Sequence, residues 1–269
     1  MRKESVEEKR RRLLDKARAS VSSAYAGEEH AIIEAINSYL EMDKVKNLVF
    51  ERLEEWYSIY FPELRISNQV TYAKFVLKFG ANKKNASAAE LSELLGDKAK
   101  DVENAINRSI GREPSEEEYK TLSSIANLLI NIAGMQDNLS GYIDRSVKRI
   151  MPNISYLVDT KIAAELLSRA GSLNKLALMP ASTIQLLGAE KALFKHLKYG
   201  SRPPKYGILY KMPQVSNAGR HNGGRIARIY ATKISIASKA DAFSKRFIAD
   251  VLKKNLESTI SRARVRKGV

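Results

Sequence analysis

The sequence has no cysteine, one tryptophan, three histidines and seven prolines among 269 residues. Without cysteine there can be no disulfide framework, no thiolate metal ligand and no cysteine nucleophile; the composition fits a reducing compartment. No apolar run approaches the roughly 18 residues that a membrane-spanning helix needs, so no span is expected. Met1 to Lys16 are dense in charge and lack the apolar stretch of a secretory signal, so none is expected either. Proline and glycine are sparse, while Ala, Leu, Ile, Lys and Glu are plentiful, which favours helix. Hydrophobic residues make up 44% of the chain, enough for a packed core and too many for wholesale disorder.

What is present in excess is positive charge, and its position says more than its size. The formal net charge is +16. From Gly188 to Val269 there are 19 Lys plus Arg against 4 Asp plus Glu, whereas the rest of the chain is almost balanced at 27 against 26. A localised excess reads as the footprint of a polyanion, nucleic acid first, then a membrane surface or an acidic protein.

The apolar spacing predicts helices nearly throughout. Arg2 to Arg18 is a charged helix with little apolar face. From Glu28, Ile32, Ile36, Leu40, Leu53 and Trp56 form one stripe that ends near Tyr60, before Phe61-Pro62. Val70 to Phe79 is a short helix with Gly80 at its end, and Asn82 to Ser87 a loop. Two long helices are expected next. The first covers 88–110, with Leu91, Leu95, Val102, Ile106 and Ile110 on one side. The second covers 115–151, with Leu122, Ile125, Leu129, Ile132, Leu139, Ile143, Val147 and Ile150 on one side. Between them, Gly111 to Pro114 is a turn, and Ser115 with Glu118 has the form of a capping box. The spacings are close to heptads, which predicts an antiparallel coiled-coil hairpin. Pro152 ends it. Helices over 158–170, 173–178 and 181–198 follow, the last with a break at Gly188. Residues 206–212 read as a short strand or extended arm, 215–224 as a polar loop, and 225–262 as a final helix. The fold class is all-α. Its expected parts are linker helices over 1–85, the coiled-coil hairpin over 86–151 and a helical, basic region over 152–269.

No enzyme motif stands out. His30, His196 and His221 form no pair at metal-ligand spacing, and no Walker loop or nucleophile elbow is present. The glycines from Gly219 to Gly224 follow no strand of the Rossmann kind. No catalytic residue, metal site or cofactor is expected.

The basic third offers two clusters. Lys191, Lys195 and Lys198 share a helix face, with Phe194 at its border and Arg202 and Lys205 beyond its end. Cations beside an aromatic ring suit phosphate contacts and base stacking, though the same spacing also serves a solvated face. Ala192, Leu193 and Leu197 are expected to pack into the core. Arg220, Arg225, Arg228 and Lys233 form the second cluster, next to a loop that carries His221. His196 points away from Lys191 in an ideal helix, so packing competes with ligand contact there.

Some of these residues carry a family resemblance. The stretch from Ser172 to Tyr210 resembles the signature of the Nop domain, above all in Gly188-Ala189-Glu190-Lys191-Ala192-Leu193-Phe194 and Arg202-Pro203-Pro204-Lys205. Gly224 to Arg228 resembles the family's later basic helix start. Upstream, Glu54-Glu55-Trp56-Tyr57 and Phe61-Pro62-Glu63-Leu64 are also similar, so the likeness covers roughly residues 28–265. The loop from Ser216 to Gly223 departs from the pattern. The ending, without a long lysine-rich tail, looks archaeal.

The resemblance implies a non-catalytic scaffold of box C/D ribonucleoproteins, which guide RNA 2'-O-methylation. It implies a homodimer made through the coiled coil, with Leu122, Ile125, Leu129, Ile132, Leu139 and Ile143 as the dimerisation residues. It implies a Nop domain that binds kink-turn guide RNA together with a small L7Ae-like kink-turn-binding protein. Gly188, Ala189 and Glu190 would approach that protein. Lys191, Phe194, Lys195, His196, Lys198, Arg202, Lys205, Arg220, Arg225, Arg228 and Lys233 would face RNA. The family also recruits fibrillarin, whose S-adenosylmethionine supplies the methyl group. Members usually carry a separate amino-terminal domain for fibrillarin. This sequence starts near the helix that would follow that domain, which leaves fibrillarin binding by these residues doubtful. The implied location is cytoplasmic in an archaeon and nucleolar in a eukaryote. Alternatives are a spliceosomal-type Nop-domain protein not involved in methylation, a dimerising interaction protein with incidental charge, and an enzyme.

Overall fold

A computed structural model of the chain describes residues 6–25 and 27–265; the side chains of 19–25, 220, 221, 264 and 265 lie outside the description. All regular structure among the described residues is helical: α1 Val6–Tyr25, α2 Glu29–Tyr57, α3 Gln69–Phe79, α4 Ala88–Leu95, α5 Ala99–Arg108, α6 Glu116–Ile150, α7 Pro152–Leu157, α8 Thr160–Ala170, α9 Leu173–Leu178, α10 Ala181–Leu186, α11 Glu190–Tyr199, α12 Pro213–Ser216, α13 Gly219–Lys239 and α14 Ala249–Val265. None is long and apolar enough to cross a membrane. The chain forms two compact units, one of residues 38–140 and one of residues 1–37 with 141–269.

The 38–140 unit is built on an aromatic core. Tyr57, Tyr60, Phe61, Tyr72 and Phe75 are almost fully buried with Leu53, Leu91, Leu122 and Leu129. Tyr57 and Tyr72 meet edge to face at 6.2 Å, as ring quadrupoles favour. Lys83 is buried beside this core, where its ammonium donates to the carbonyls of Tyr60 and, at 2.8 Å, Gly111. The expected capping box is present: the Glu118 N–H donates to Ser115 Oγ at 3.3 Å, and the Ser115 N–H to Glu118 Oε2 at 2.7 Å. Gln136 of α6 is held against α2, accepting from Lys46 Nζ at 2.7 Å and donating to the Tyr39 carbonyl at 3.4 Å.

Two expectations about the hairpin need correction. The arm expected over 88–110 is broken into α4 and α5 by Gly96, whose φ of 56° and ψ of −126° suit glycine and little else. Ile110, placed on its apolar side, is 88% exposed. Four of the six residues expected to face a second copy are also already used. Leu122, Leu129, Ile132 and Ile143 are buried within the protomer, and Ile125 and Leu139 are half-buried. The large apolar side chains that α6 leaves exposed are Leu128, Met135 and Tyr142.

In the other unit α13 is the central helix, contacted by α7, α9, α10, α12 and α14. Its buried residues Ile226, Tyr230 and Ile234 recur at four-residue spacing, one helix face. After α13 the chain makes a π turn over Ala240–Ser244, which turns Asp241 inward. That carboxylate accepts from the Asn153 N–H at 3.0 Å, Asn153 Nδ2 at 2.7 Å and the Ile154 N–H at 3.0 Å, capping the start of α7. The π turn and the four residues after it divide the helix expected over 225–262. The segment expected as a strand is a 3-10 turn, Ile208–Lys211. The loop expected over 215–224 is mostly helical, because α12 and then α13 from Gly219 occupy it.

Candidate nucleic-acid interface

The site is organised by the crossing of two chain segments. The Gly207 N–H donates to the Gln185 carbonyl at 3.0 Å, and the Ile208 N–H to the Leu187 carbonyl at 2.7 Å. Backbones this close leave no room for side chains. A Cβ on Gly207 would lie 1.8 Å from the Leu187 oxygen, and one on Gly188 would lie 2.7 Å from Ile208 Cγ1. Gly188 also has a φ of 86°, so both space and backbone angle require glycine there. Its N–H donates to Glu190 Oε1 at 2.6 Å. Burial pushes the Glu190 carboxyl up, but this hydrogen bond, its own backbone N–H and the charge of Arg169 bring it below the ordinary range. The Gly188–Glu190 segment is thereby fixed as the entrance to α11.

α11 contains no buried residue. Lys191, Lys195 and Lys198 are exposed, as are Phe194 at 62%, Leu197 at 75% and Tyr199 at 68%. The expectation that Ala192, Leu193 and Leu197 pack into the core is overturned for Ala192 and Leu197, and Leu193 is half-buried. The helix is an amphipathic element whose apolar side is largely uncovered. Lys198 Nζ lies 5.2 Å from the Tyr199 ring centroid and 5.9 Å from that of Phe194, within cation–π range. Gly200 ends the helix in the left-handed region, its N–H returning to the His196 carbonyl at 2.9 Å. The His196 ring Nδ1 contacts the Ser201 carbonyl, so one edge of the ring holds the loop that leads to Arg202.

A buried amide joins the two basic clusters. Gln185 Nε2 donates to the carbonyl of Lys205 at 2.7 Å and of Gly224 at 3.3 Å, and Gln185 Oε1 accepts from Arg228 Nε at 3.5 Å. The backbone of Lys205 is thus held against the first turns of α13, where Arg225 and Arg228 are exposed. Tyr206 and Tyr210 stack beside it at 4.8 Å between centroids. Arg202 and Lys205 are exposed, whereas Lys233 is half-buried and has no part in this knot. The side chain of Arg220 lies outside the described residues. Sequence reasoning missed Gln185, although a lone amide among buried apolar positions of α10 was a signal that could have found it. Among the described residues no group of His, Asp and Glu could hold a metal ion.

Comparison with known proteins identifies the family. The family described as Nop, snoRNA binding domain, fibrillarin, matches residues 39–262. Nucleolar protein 56 of Dictyostelium discoideum is 44% identical over 224 residues, 80% of this chain and 41% of that protein. An uncharacterized NOP5 family protein of Methanocaldococcus jannaschii is 37% identical over 248 residues, 91% of this chain and 59% of that one. This chain therefore spans about two fifths to three fifths of the length of these relatives. A crystal structure of a fibrillarin/Nop5p complex contains a chain of the same fold, with a TM-score of 0.54 and 21% identity over 94% of this chain and 78% of that one. By its match over most of its length and by the identity of these relatives, the chain belongs to the Nop family.

Proposed function

We propose that this chain is a non-catalytic RNA-binding scaffold of box C/D ribonucleoproteins, which guide 2'-O-methylation. Its α11 side docks on the joint surface of a kink-turn guide RNA and a small L7Ae-like protein. The observation that carries this reading is α11 itself: a helix with no buried residue, exposing Phe194, Leu197 and Tyr199 beside Lys191, Lys195 and Lys198. An apolar side left in water is costly unless a partner covers it. A basic side next to it suits phosphate. A composite of protein and RNA satisfies both, and Gly188 to Glu190 lie at the end of α11 where the protein part would sit. His196 then acts by holding the loop before Arg202. The relatives' names fit a location in the nucleolus or, in an archaeon, the cytoplasm. Fibrillarin, which carries S-adenosylmethionine, would be positioned by the assembled particle.

Homodimerisation belongs to the same proposal, with a changed seam. The side chains of α6 open to a second copy in the 38–140 unit are Leu128 and Met135, seven residues apart and so on one face.

The direct test is a binding titration with a kink-turn RNA, with and without the small kink-turn protein. Tight binding only when both are present supports the scaffold. Equal binding to any RNA, indifferent to the small protein, leaves only a basic helical protein.

A further inference from the structure

A groove of about 1000 Å³ runs between α13 and α14. Arg225, Arg228 and Thr232 line one wall; Thr259, Ser261 and Arg262 line the other. No carboxylate contributes to it, and among the described residues none lies within ion-pair distance of the three arginines. Neutral oxygens orient two of them instead. Arg262 donates from Nε to the Ser258 carbonyl at 3.3 Å and from Nη2 to Ser258 Oγ at 3.0 Å. Arg228 donates to Gln185 Oε1 at 3.5 Å. Three like charges line one cleft, two of them with their directions set, and no carboxylate lines it.

The hydroxyls narrow the ligand further. Thr232 Oγ1 donates to the Arg228 carbonyl at 2.9 Å, Thr259 Oγ1 to the Asn255 carbonyl at 2.6 Å, and Ser261 Oγ to the Glu257 carbonyl at 2.9 Å. With each hydroxyl donating to its own helix, its oxygen is left to accept from the groove. The complement is a ligand that alternates anions with hydrogen-bond donors. An acidic peptide brings carboxylates without regular hydroxyl donors. DNA brings phosphates without them. The sugar–phosphate backbone of RNA brings both, phosphates for the guanidinium forks and 2'-hydroxyls for the acceptor oxygens.

We propose that the α13–α14 groove is a second RNA track, in which Arg262 with Arg225 and Arg228 takes phosphates and the three hydroxyl oxygens take ribose 2'-hydroxyls. The track rests on the RNA reading above and extends it from the α11 side to the last helix.

The test measures binding of the full chain to a kink-turn RNA carrying the small protein, across a salt series, for wild type, Arg262→Gln, Arg262→Lys and Ser261→Glu. Arg262→Gln is expected to weaken binding roughly three- to tenfold and to lower the salt slope by roughly 0.7–0.9, one phosphate. Arg262→Lys keeps the slope, and Ser261→Glu, an exposed position, weakens binding at least as much as Arg262→Gln. All-deoxy replacement in the strand that crosses the groove lowers wild-type affinity. Thermal melts confirm that each variant is folded. If Arg262→Gln and Ser261→Glu bind like wild type while Lys191→Ala does not, the groove is not an RNA track and the α11 reading stands. Loss of affinity in Arg262→Gln with an unchanged slope also overturns the track, because a packing effect would do that. If Lys191→Ala is silent too, both readings fall together.

Discussion

In residues 38–140, 13 Lys plus Arg stand with 16 Asp plus Glu; in residues 188–269, 19 stand with 4. The structure uses these charges differently. The first unit pairs them internally: Lys46 with Asp43 at 3.2 Å, Arg52 with Glu55 at 2.9 Å, Lys78 with Glu90 at 3.1 Å and Arg112 with Glu118. After Gly188, Lys211 pairs with Glu165 at 2.5 Å, while Lys191, Lys195 and Lys198 of α11 are exposed. Exposed pairs contribute little stability each. What the comparison teaches is which charges have already been answered. One region spends its side chains on its own fold through an aromatic core, and the other presents exposed cations such as Lys191 and Lys195 beside exposed rings such as Phe194 and Tyr199.

If that division is right, substitutions in the two regions must separate stability from binding. The largest effect is expected for Leu129→Ala in the 38–140 core, where a fully buried leucine lost to alanine costs about 2–5 kcal/mol. Denaturant unfolding measures it, and RNA affinity of the remaining folded protein should not change. In the other direction, Lys191→Ala combined with Lys195→Ala should weaken RNA–protein binding on the order of tenfold or more. Its unfolding curve should superimpose on that of wild type, and a joint loss of both properties would break the division.

The proposed dimer seam sharpens the comparison within α6. Leu128→Asp with Met135→Asp should shift the chain toward monomer in sedimentation with helicity kept. A dimer that survives both changes would place the seam elsewhere.

A smaller effect follows from the paired acids. The Glu118 carboxyl is held well below its ordinary range by Arg112 and then by the Ser115 N–H. Glu90 is lowered first by the Ser87 hydroxyl, and Glu63 by the Ile110 N–H and Ser109 hydroxyl against the opposing effect of burial. A lowered folded pKa means stability that is fully present above the unfolded value of about 4.3 and is lost as pH falls through the folded one. Melts of the chain between pH 7 and pH 2 should show the 38–140 unit weakening only below about pH 5. The smallest expected effect is that of Lys233→Ala, a half-buried position outside the Gln185 knot. Its salt slope should match wild type.

Much of this was legible in the sequence, for reasons that differ from residue to residue. The start of α6 was readable because Pro114, Ser115 and Glu118 act locally, within one turn. The lysines of α11 were readable because a spacing of three and four fixes a helix face whatever surrounds it. The break at Gly96 was not, because the apolar period of Leu91, Leu95, Val102 and Ile106 continues across it and only the backbone angle reveals the interruption. Which face of α6 stays open was not readable either. Periodicity marks Leu122 and Leu129 as apolar-facing, but not whether their partner is α2, α4 and α5 or a second chain. Leu197 was misjudged for the same reason. Amphipathic spacing says that a side should be covered, not that this chain covers it. Arg262 was passed over because the groove exists only once the π turn at Ala240–Ser244 has separated α14 from α13.

The central claim is that the uncovered side of α11 is completed by RNA and a small protein together. The most direct measurement is the affinity of this chain for a kink-turn RNA, for the small kink-turn protein and for their complex, in the same buffer. The account predicts weak binding to either alone, tight binding to the complex, and loss of that gain in Lys191→Ala. Binding of equal strength to the RNA alone and to the complex would contradict it.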